Sequence, residues 1–521
     1  MNREIRMPDG RPFYITTPIY YVNDKPHIGH AYTTLACDVM ARFMRLDGRP
    51  VHFLTGTDEH GQKVEKSAAA AGVPPLEFCD RVSQQFRDLA LALNISNDDF
   101  IRTTEPRHIA SCQAIWQRLI DRGEIYLGSY SGWYSVRDET FFTEADLIDG
   151  KAPTGAPVEW VEEPSYFFKL SAWGDKLLEF YDKNPGFIGP DSRRNEVVSF
   201  VKSGLRDLSV SRTSFTWGVP VPNDPAHVMY VWLDALTNYI TAVGYPDVEA
   251  EAYKTFWPAN LHVVGKDIVR FHAVYWPAFL MAAELPPPQG VYAHGWWTNE
   301  GQKISKSLGN AIDPYDLIET YGLDQTRYFL LREVPFGQDG DFSKTAMVNR
   351  INADLANNLG NLMQRVLSQV QKNCAAAAPQ IGDLTAEDEA LLGQARALLP
   401  ALRAAMEKCE LHQALAQLWA VSDAANLYID QQAPWTLKKT DLTRMATVLG
   451  VLVEVIRILG ILVQPVMPGA GAKILDQLAI PADARGFDAI ARGPIAAGTP
   501  LPVPQGVFPR IDTKPIEIAK A

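Results

Sequence analysis

At 521 residues the chain has room for about three or four domains of roughly 150 residues each, which excludes a minimal module. A composition of 47% hydrophobic and 21% charged residues excludes wholesale disorder, and the net charge of −12 leaves a nucleic-acid partner open, because phosphates respond to local basic patches and not to the average over a long chain. Five cysteines, at 37, 79, 112, 374 and 409, show no CxxC spacing, which predicts a reduced, cytoplasmic protein with neither a disulfide framework nor a thiolate zinc site.

The amino end, MNREIRMPDGRPFYITT, has no apolar run of signal-peptide type. Residues 13–18 and 51–56 are short, β-branched and aromatic, and the stretch 31–46 between them carries Leu35, Val39, Met40, Phe43 and Met44 at helical spacing. Strand, helix, strand at this separation predicts a right-handed βαβ crossover and a parallel sheet, with ligands at the carboxyl ends of its strands. Further strands of the same sheet are expected at 228–233, 261–264 and 291–293. Residues 117–227 change character, with turn residues between aromatic runs, and read as an inserted domain. Beyond about 350 the segments 351–372, 386–409, 411–431 and 441–464 read as amphipathic helices of a bundle. The apolar stretch 449–467 is interrupted by Glu454, Arg457, Gln464 and Pro465, so no membrane span is expected. The proline-rich end predicts an extended tail.

Two motifs carry chemistry. Pro26-His27-Ile28-Gly29-His30 lies where the first strand gives way to the helix, so free helix N–H groups, the close approach that Gly29 permits and two imidazoles can meet phosphate oxygens. Gly301-Gln302-Lys303-Ile304-Ser305-Lys306-Ser307 is a loop with two lysines three apart, suited to neutralising a polyphosphate as charge develops on it. Taken singly, the first reads equally well as two surface histidines at a turn, and the second as a solvated basic loop.

Together, HIGH near the amino end of a Rossmann-like unit and KISKS after its last strand resemble the two signatures of class I aminoacyl-tRNA synthetases. The segments TTPIYY (16–21), GTDEHG (56–61), VWLDA (231–235) and GKDIVRFH (265–272) narrow the resemblance to the methionyl-tRNA synthetase family, and it covers nearly the whole chain. The fold it implies is α/β plus all-α. Residues 1–116 and 228–295 are the halves of a Rossmann catalytic domain, 117–227 a connective insertion and 296–350 a linking module bearing KISKS; 351–500 are a helical anticodon-binding domain and 501–521 an extended tail.

By the same resemblance His27, His30, Lys303 and Lys306 are catalytic, and with Gly29, Gly265 and Asp267 they bind ATP, which brings Mg2+ with it. Asp58 holds the α-ammonium of methionine, and Ile19, Tyr21, Trp232, Ala235, Leu236, Tyr239, Ile268, His272 and Trp276 form or support the side-chain pocket; a polarizable thioether packs well against aromatic edges. Leu236 stands where the family often has proline. Asn361 and Arg365, four apart on one helix face, and Trp435 at a helix boundary resemble anticodon-reading elements, with the indole stacking on an unstacked base. The insertion holds no cysteine and so resembles the branch without zinc knuckles, for which no structural zinc is expected. The implied activity is activation of methionine to its adenylate and transfer to the cognate initiator and elongator tRNAs, by a monomer without a membrane partner. Two alternatives remain at this point. One is a nucleotidyltransferase using HxGH chemistry on a small metabolite, which has no need of the bundle. The other is a catalytically retired tRNA-binding protein, which has no need of both histidines and both lysines.

Overall fold

The computed structural model describes residues 10–22, 25–138, 140–304 and 309–512. Contacts divide the chain into two compact units, one of residues 12–37 and 51–294, the other of 38–50 and the described residues from 295 onward.

The first unit is built on a parallel sheet. Its strands are β1 (Phe13–Thr16), β2 (Tyr20–Tyr21), β3 (Val51–Asp58), β4 (Asp99–Arg102), β5 (Ile188–Gly189), β6 (Leu261–Gly265) and β7 (Val291–His294). They lie in the order β2-β3-β1-β6-β7-β5, with β4 also on β3. Phe13 faces Val51 and Ile15 faces Leu261, both in parallel register. The crossover from β1 to β3 runs through helix α1 (Ile28–Leu46), whose apolar positions are buried as the helical spacing predicts. Strand order reverses around β1, and the carboxyl ends of β1, β3 and β6 are the place such sheets present to ligands.

Residues 228–233 are not a strand of this sheet. Asp224–Met229 is the middle strand of a separate antiparallel three-stranded sheet, and Val231–Thr241 is a helix, α3, preceded in chain order by helix α2 (Pro106–Asp121). Helix α3 is buried on nearly every face from Leu233 to Thr241, so its apolar run has no helical period to read and resembles a core strand. Residues 117–227 carry a four-stranded sheet with strands at 125–135, 140–142, 159–168 and 208–209, and they also supply β5, which pairs with β7.

The second unit contains a small three-stranded sheet (Trp297–Asn299, Gln302–Lys303 and Gly340–Phe342) and the helices α4 (Asn361–Asn373), α5 (Ala386–Glu407), α6 (Leu411–Gln432) and α7 (Leu442–Val463). A π-helical stretch, Ile351–Gly360, runs directly into α4. Helix α7 is long and apolar enough to cross a membrane by composition, but 94% of its most apolar window is buried, the pattern of a helix that is hydrophobic all round because it is the core of a bundle. Within this unit Arg327 joins Asp38 at 2.7 Å with both side chains fully buried, and its guanidinium also donates to the carbonyls of Pro465 and Val466. The extended tail is tied down where Asn352 exchanges two hydrogen bonds with the backbone of Ile511.

Candidate active site and anticodon-binding surface

In the first unit, His27 stands just before α1 and His30 in its first turn. The backbone N–H of His27 donates to Nδ1 of His30 and that of Gly29 to Nδ1 of His27, each at 3.1 Å. A neutral imidazole that accepts at Nδ1 carries its proton on Nε2, so both rings are fixed as Nε2–H donors. Burial, and then the neighbouring His27, hold His30 well below the usual histidine pKa, so it stays neutral. The two rings lie 3.9 Å apart, and a Cβ on Gly29 would stand 3.0 Å from the His27 ring, so position 29 has little room for a side chain. Tyr20 braces His30 edge-on at 4.8 Å and stacks on Phe86.

Asp58 is buried at the end of β3, and its carbonyl accepts from the N–H of Val22, just beyond β2. Glu59 next to it is fully buried against Arg102, which it receives through both carboxylate oxygens at 2.7 and 3.0 Å. Helix α3 brings Trp232, Ala235, Leu236 and Tyr239 onto the same unit, and Trp232 stacks on Phe271 at 3.6 Å. The chain after β6 turns through Gly265, Lys266 and Asp267 into a π-helical turn, Phe271–Tyr275, and then the helix that begins at Trp276. π-Helical turns recur at functional sites because they displace one residue from the regular ladder, and here the displaced stretch contains His272. Tyr239, His272 and Trp276 form one aromatic cluster, with Tyr239 at 5.7 Å from His272 and 6.1 Å from Trp276. Ile19 and Ile268 are half-buried and pack on the same core, and Tyr21 lies under the Lys63 ammonium at 5.6 Å. A Cβ on Gly265 would lie 2.5 Å from the Asp267 carboxylate, so only glycine lets Asp267 fold back there.

Sequence reasoning missed His262. Its ring stacks on that of Tyr239 at 4.1 Å, and its Nδ1 meets Thr16 Oγ1 at 2.8 Å. The signal was its place within the strand Leu261–Gly265, directly before Val263-Val264-Gly265, which reads equally well as core. Arg212 is buried beneath Tyr230, with its guanidinium 3.6 Å from that ring and hydrogen-bonded to Ser209 and the Ser211 carbonyl, the setting of a structural cation.

In the second unit Lys303 is exposed on the short strand that pairs with Trp297–Asn299, and Asn310 donates to its carbonyl at 3.1 Å. Lys306 lies outside the described residues. Asn361 is exposed at the start of α4; Arg365, one turn on, pairs with Asp430 and lies 5.7 Å over the ring of Trp435, itself 38% exposed. Arg365 and Trp435 thus meet on one surface of the bundle. Asn358, which the sequence did not single out, is a hub there: it donates to Asp423 and accepts from Ser422 and Asn426 at 2.6–2.9 Å.

A parallel sheet of this order, with a histidine pair fixed as donors where its first crossover helix begins and a helical bundle in the same chain, defines the class I aminoacyl-tRNA synthetase architecture. A model of the tRNA synthetases class I (M) matches residues 13–159 and 145–367, and a model of the anticodon binding domain of methionyl tRNA ligase matches 378–519. The chain is 59% identical over 503 residues to the methionine–tRNA ligase of Brucella suis, covering 96% of this chain and 98% of that protein, and 57% identical over 514 residues to that of Rickettsia felis. The solved Mycobacterium tuberculosis methionyl-tRNA synthetase in complex with methionyl-adenylate superposes with a TM-score of 0.94 at 53% identity, over 96% of this chain and all of that one. The chain belongs to the class I (M) tRNA synthetase family.

Proposed function

We infer that the chain activates L-methionine with ATP to methionyl-adenylate and transfers the methionyl group to the 3′ end of its cognate tRNAs, initiator and elongator. The observation that carries the reading is the joining, in one unit, of a buried carboxylate at the end of β3, an aromatic cluster on α3 and the turn after β6, and a histidine pair with both Nε2–H groups fixed.

In the first step a carboxylate oxygen of methionine attacks the α-phosphate of MgATP and pyrophosphate leaves. Charge builds on phosphate oxygens, so the protein contributes position and preorganised donors and needs no covalent nucleophile. His27 and His30 donate from Nε2, with Gly29 leaving room for the phosphates; Gly265 and Asp267 line the nucleotide, and Lys303 and Lys306 meet the leaving pyrophosphate. Asp58 pairs with the α-ammonium. Ile19, Tyr21, Trp232, Ala235, Leu236, Tyr239, Ile268, His272 and Trp276 enclose or support the thioether chain. In the second step a terminal adenosine hydroxyl of the tRNA attacks the adenylate carbonyl and AMP departs, while Asn361, Arg365 and Trp435 hold the anticodon. Magnesium arrives with ATP. The absence of cysteine from 117–227 supports activity without structural zinc, and activity that survives a zinc chelator once magnesium is restored is the matching result.

Amino-acid-dependent exchange of pyrophosphate into ATP tests the whole reading. Methionine should support exchange, whereas cysteine, valine and isoleucine should not. Exchange driven equally by isoleucine or cysteine overturns it, and so does exchange that needs no amino acid.

A further inference from the structure

Asp234 sits on α3 with its side chain 1% exposed, between two histidines far from it in sequence. Its Oδ2 is 2.6 Å from Nδ1 of His60 and its Oδ1 is 2.7 Å from Nε2 of His108, on α2. Burial acts to raise its pKa, but His60 and His108 outweigh it and hold the group well below the usual carboxylate range, so the carboxylate is ionised and both contacts are charge-assisted. His60 is two residues beyond Asp58. The intervening Glu59 is also held: its N–H donates to Thr103 Oγ1 at 2.9 Å, and its carbonyl accepts from the Trp217 indole at 2.6 Å. Asp234 thus ties the turn that carries Asp58 to the helix that carries Trp232 and Tyr239.

We propose that Asp234 is a positioning residue for methionine: by accepting from His60 and His108 together, it sets the spacing between the carboxylate that takes the ammonium and the helix face that takes the side chain. The inference rests on the assignment of Asp58 to the ammonium. His108, Cys112 and Asp234 also lie close enough to ligate a cation, with their ligand atoms all within 4.8 Å. The clamp describes them better, because both carboxylate oxygens already accept from imidazoles and burial raises the Cys112 thiol well above its usual pKa.

The test is a double-mutant cycle in the full-length enzyme, read by methionine-dependent pyrophosphate exchange. Asp234→Asn puts an amide donor against an imidazole N–H and should raise the methionine KM about tenfold while leaving the ATP KM within about twofold. Asp58→Asn should raise the methionine KM by itself, and the double variant should be no worse than Asp58→Asn, since spacing no longer matters once the counter-charge is gone. Effects that multiply in full, or that fall equally on ATP, overturn the positioning role while leaving the Asp58 assignment standing. An unchanged methionine KM in Asp58→Asn overturns that assignment, and the proposal with it. Should Asp234→Asn fail to fold, the His108 pair decides. His108→Gln returns an amide N–H near the position of Nε2 and should stay within about threefold of the parent, whereas His108→Leu should match the tenfold loss; equal effects of the two overturn the proposal. A stoichiometric metal ion in the purified enzyme that Cys112→Ala removes overturns it in favour of a metal site.

Discussion

The hydroxyl of Tyr239 donates to Nε2 of His272 across 2.7 Å, and the direction is fixed, because His272 gives its Nδ1 proton to the carbonyl of Ile268 at 2.9 Å. Tyr239→Phe keeps the ring and its stack on His262 but leaves a buried acceptor unsatisfied, at a cost of about 1–3 kcal/mol. The methionine KM should rise about tenfold or more with the ATP KM unchanged. A methionine KM equal to the parent's would remove Tyr239 from the pocket.

Burial also pushes the His272 pKa down to about 4, against an upward pull from the Ile268 carbonyl and Asp267. The unfolded chain takes up this proton as pH falls through about 6.5 and the folded chain does not until about 4. The stability contribution is therefore complete above about 6.5 and is lost between there and about 4, a difference of about 3 kcal/mol. His30 and His262 are shifted in the same direction, each by burial first. Melting of the parent and of His272→Gln at neutral pH and at a pH of about 5 checks this: the variant should lose fewer degrees on acidification, and equal losses would count against it.

Lys303 and Lys306 are proposed to meet the charge that appears as pyrophosphate departs. Lys306→Ala should slow adenylate formation about a hundredfold to a thousandfold while leaving methionine binding nearly intact. Single-turnover activation and equilibrium methionine binding separate the two; lost binding with an unchanged activation rate would reverse the assignment.

Trp435 is half-exposed beneath the Arg365 guanidinium, so its removal opens no core cavity. If it stacks on an anticodon base, Trp435→Ala forfeits roughly 1–3 kcal/mol, about tenfold to a hundredfold in charging at limiting tRNA. Methionine activation should hardly change, because tRNA takes no part in it. Parallel loss of both half-reactions with a large drop in melting temperature would make Trp435 a structural residue.

What the sequence made legible follows from range. The βαβ unit of β1, α1 and β3 and the bundle helices α4, α5 and α6 were readable because a local period marks them, whereas α7, apolar all round, was readable only because its run is far longer than a strand. The helix Val231–Thr241 was misread at its start as a strand because burial on every face erases the period. The HIGH turn was readable as a motif, but the tautomers of His27 and His30 depend on backbone N–H directions that no residue type encodes. Asp234 reaches His60 and His108 across 174 and 126 residues, so nothing near it in the chain announces the clamp. The strand Ile188–Gly189, at two residues, is too short to give a pattern.

That short strand limits how the chain can be rebuilt. Because Ile188 pairs with Val291, and because Phe168, Leu177, Tyr181 and Val197 belong to one apolar core with Tyr14, Leu236 and Val264, the segment 117–227 is not a detachable module. Excising it whole would uncover the backbone of β7 as a raw sheet edge, a template for pairing with other chains. A shortened enzyme that stays soluble would have to keep Leu119, Ile125, residues from about 168 to 201, and Val210, Val219 and Val221, and trim only the outer part of the hairpin between the strands 125–135 and 159–168.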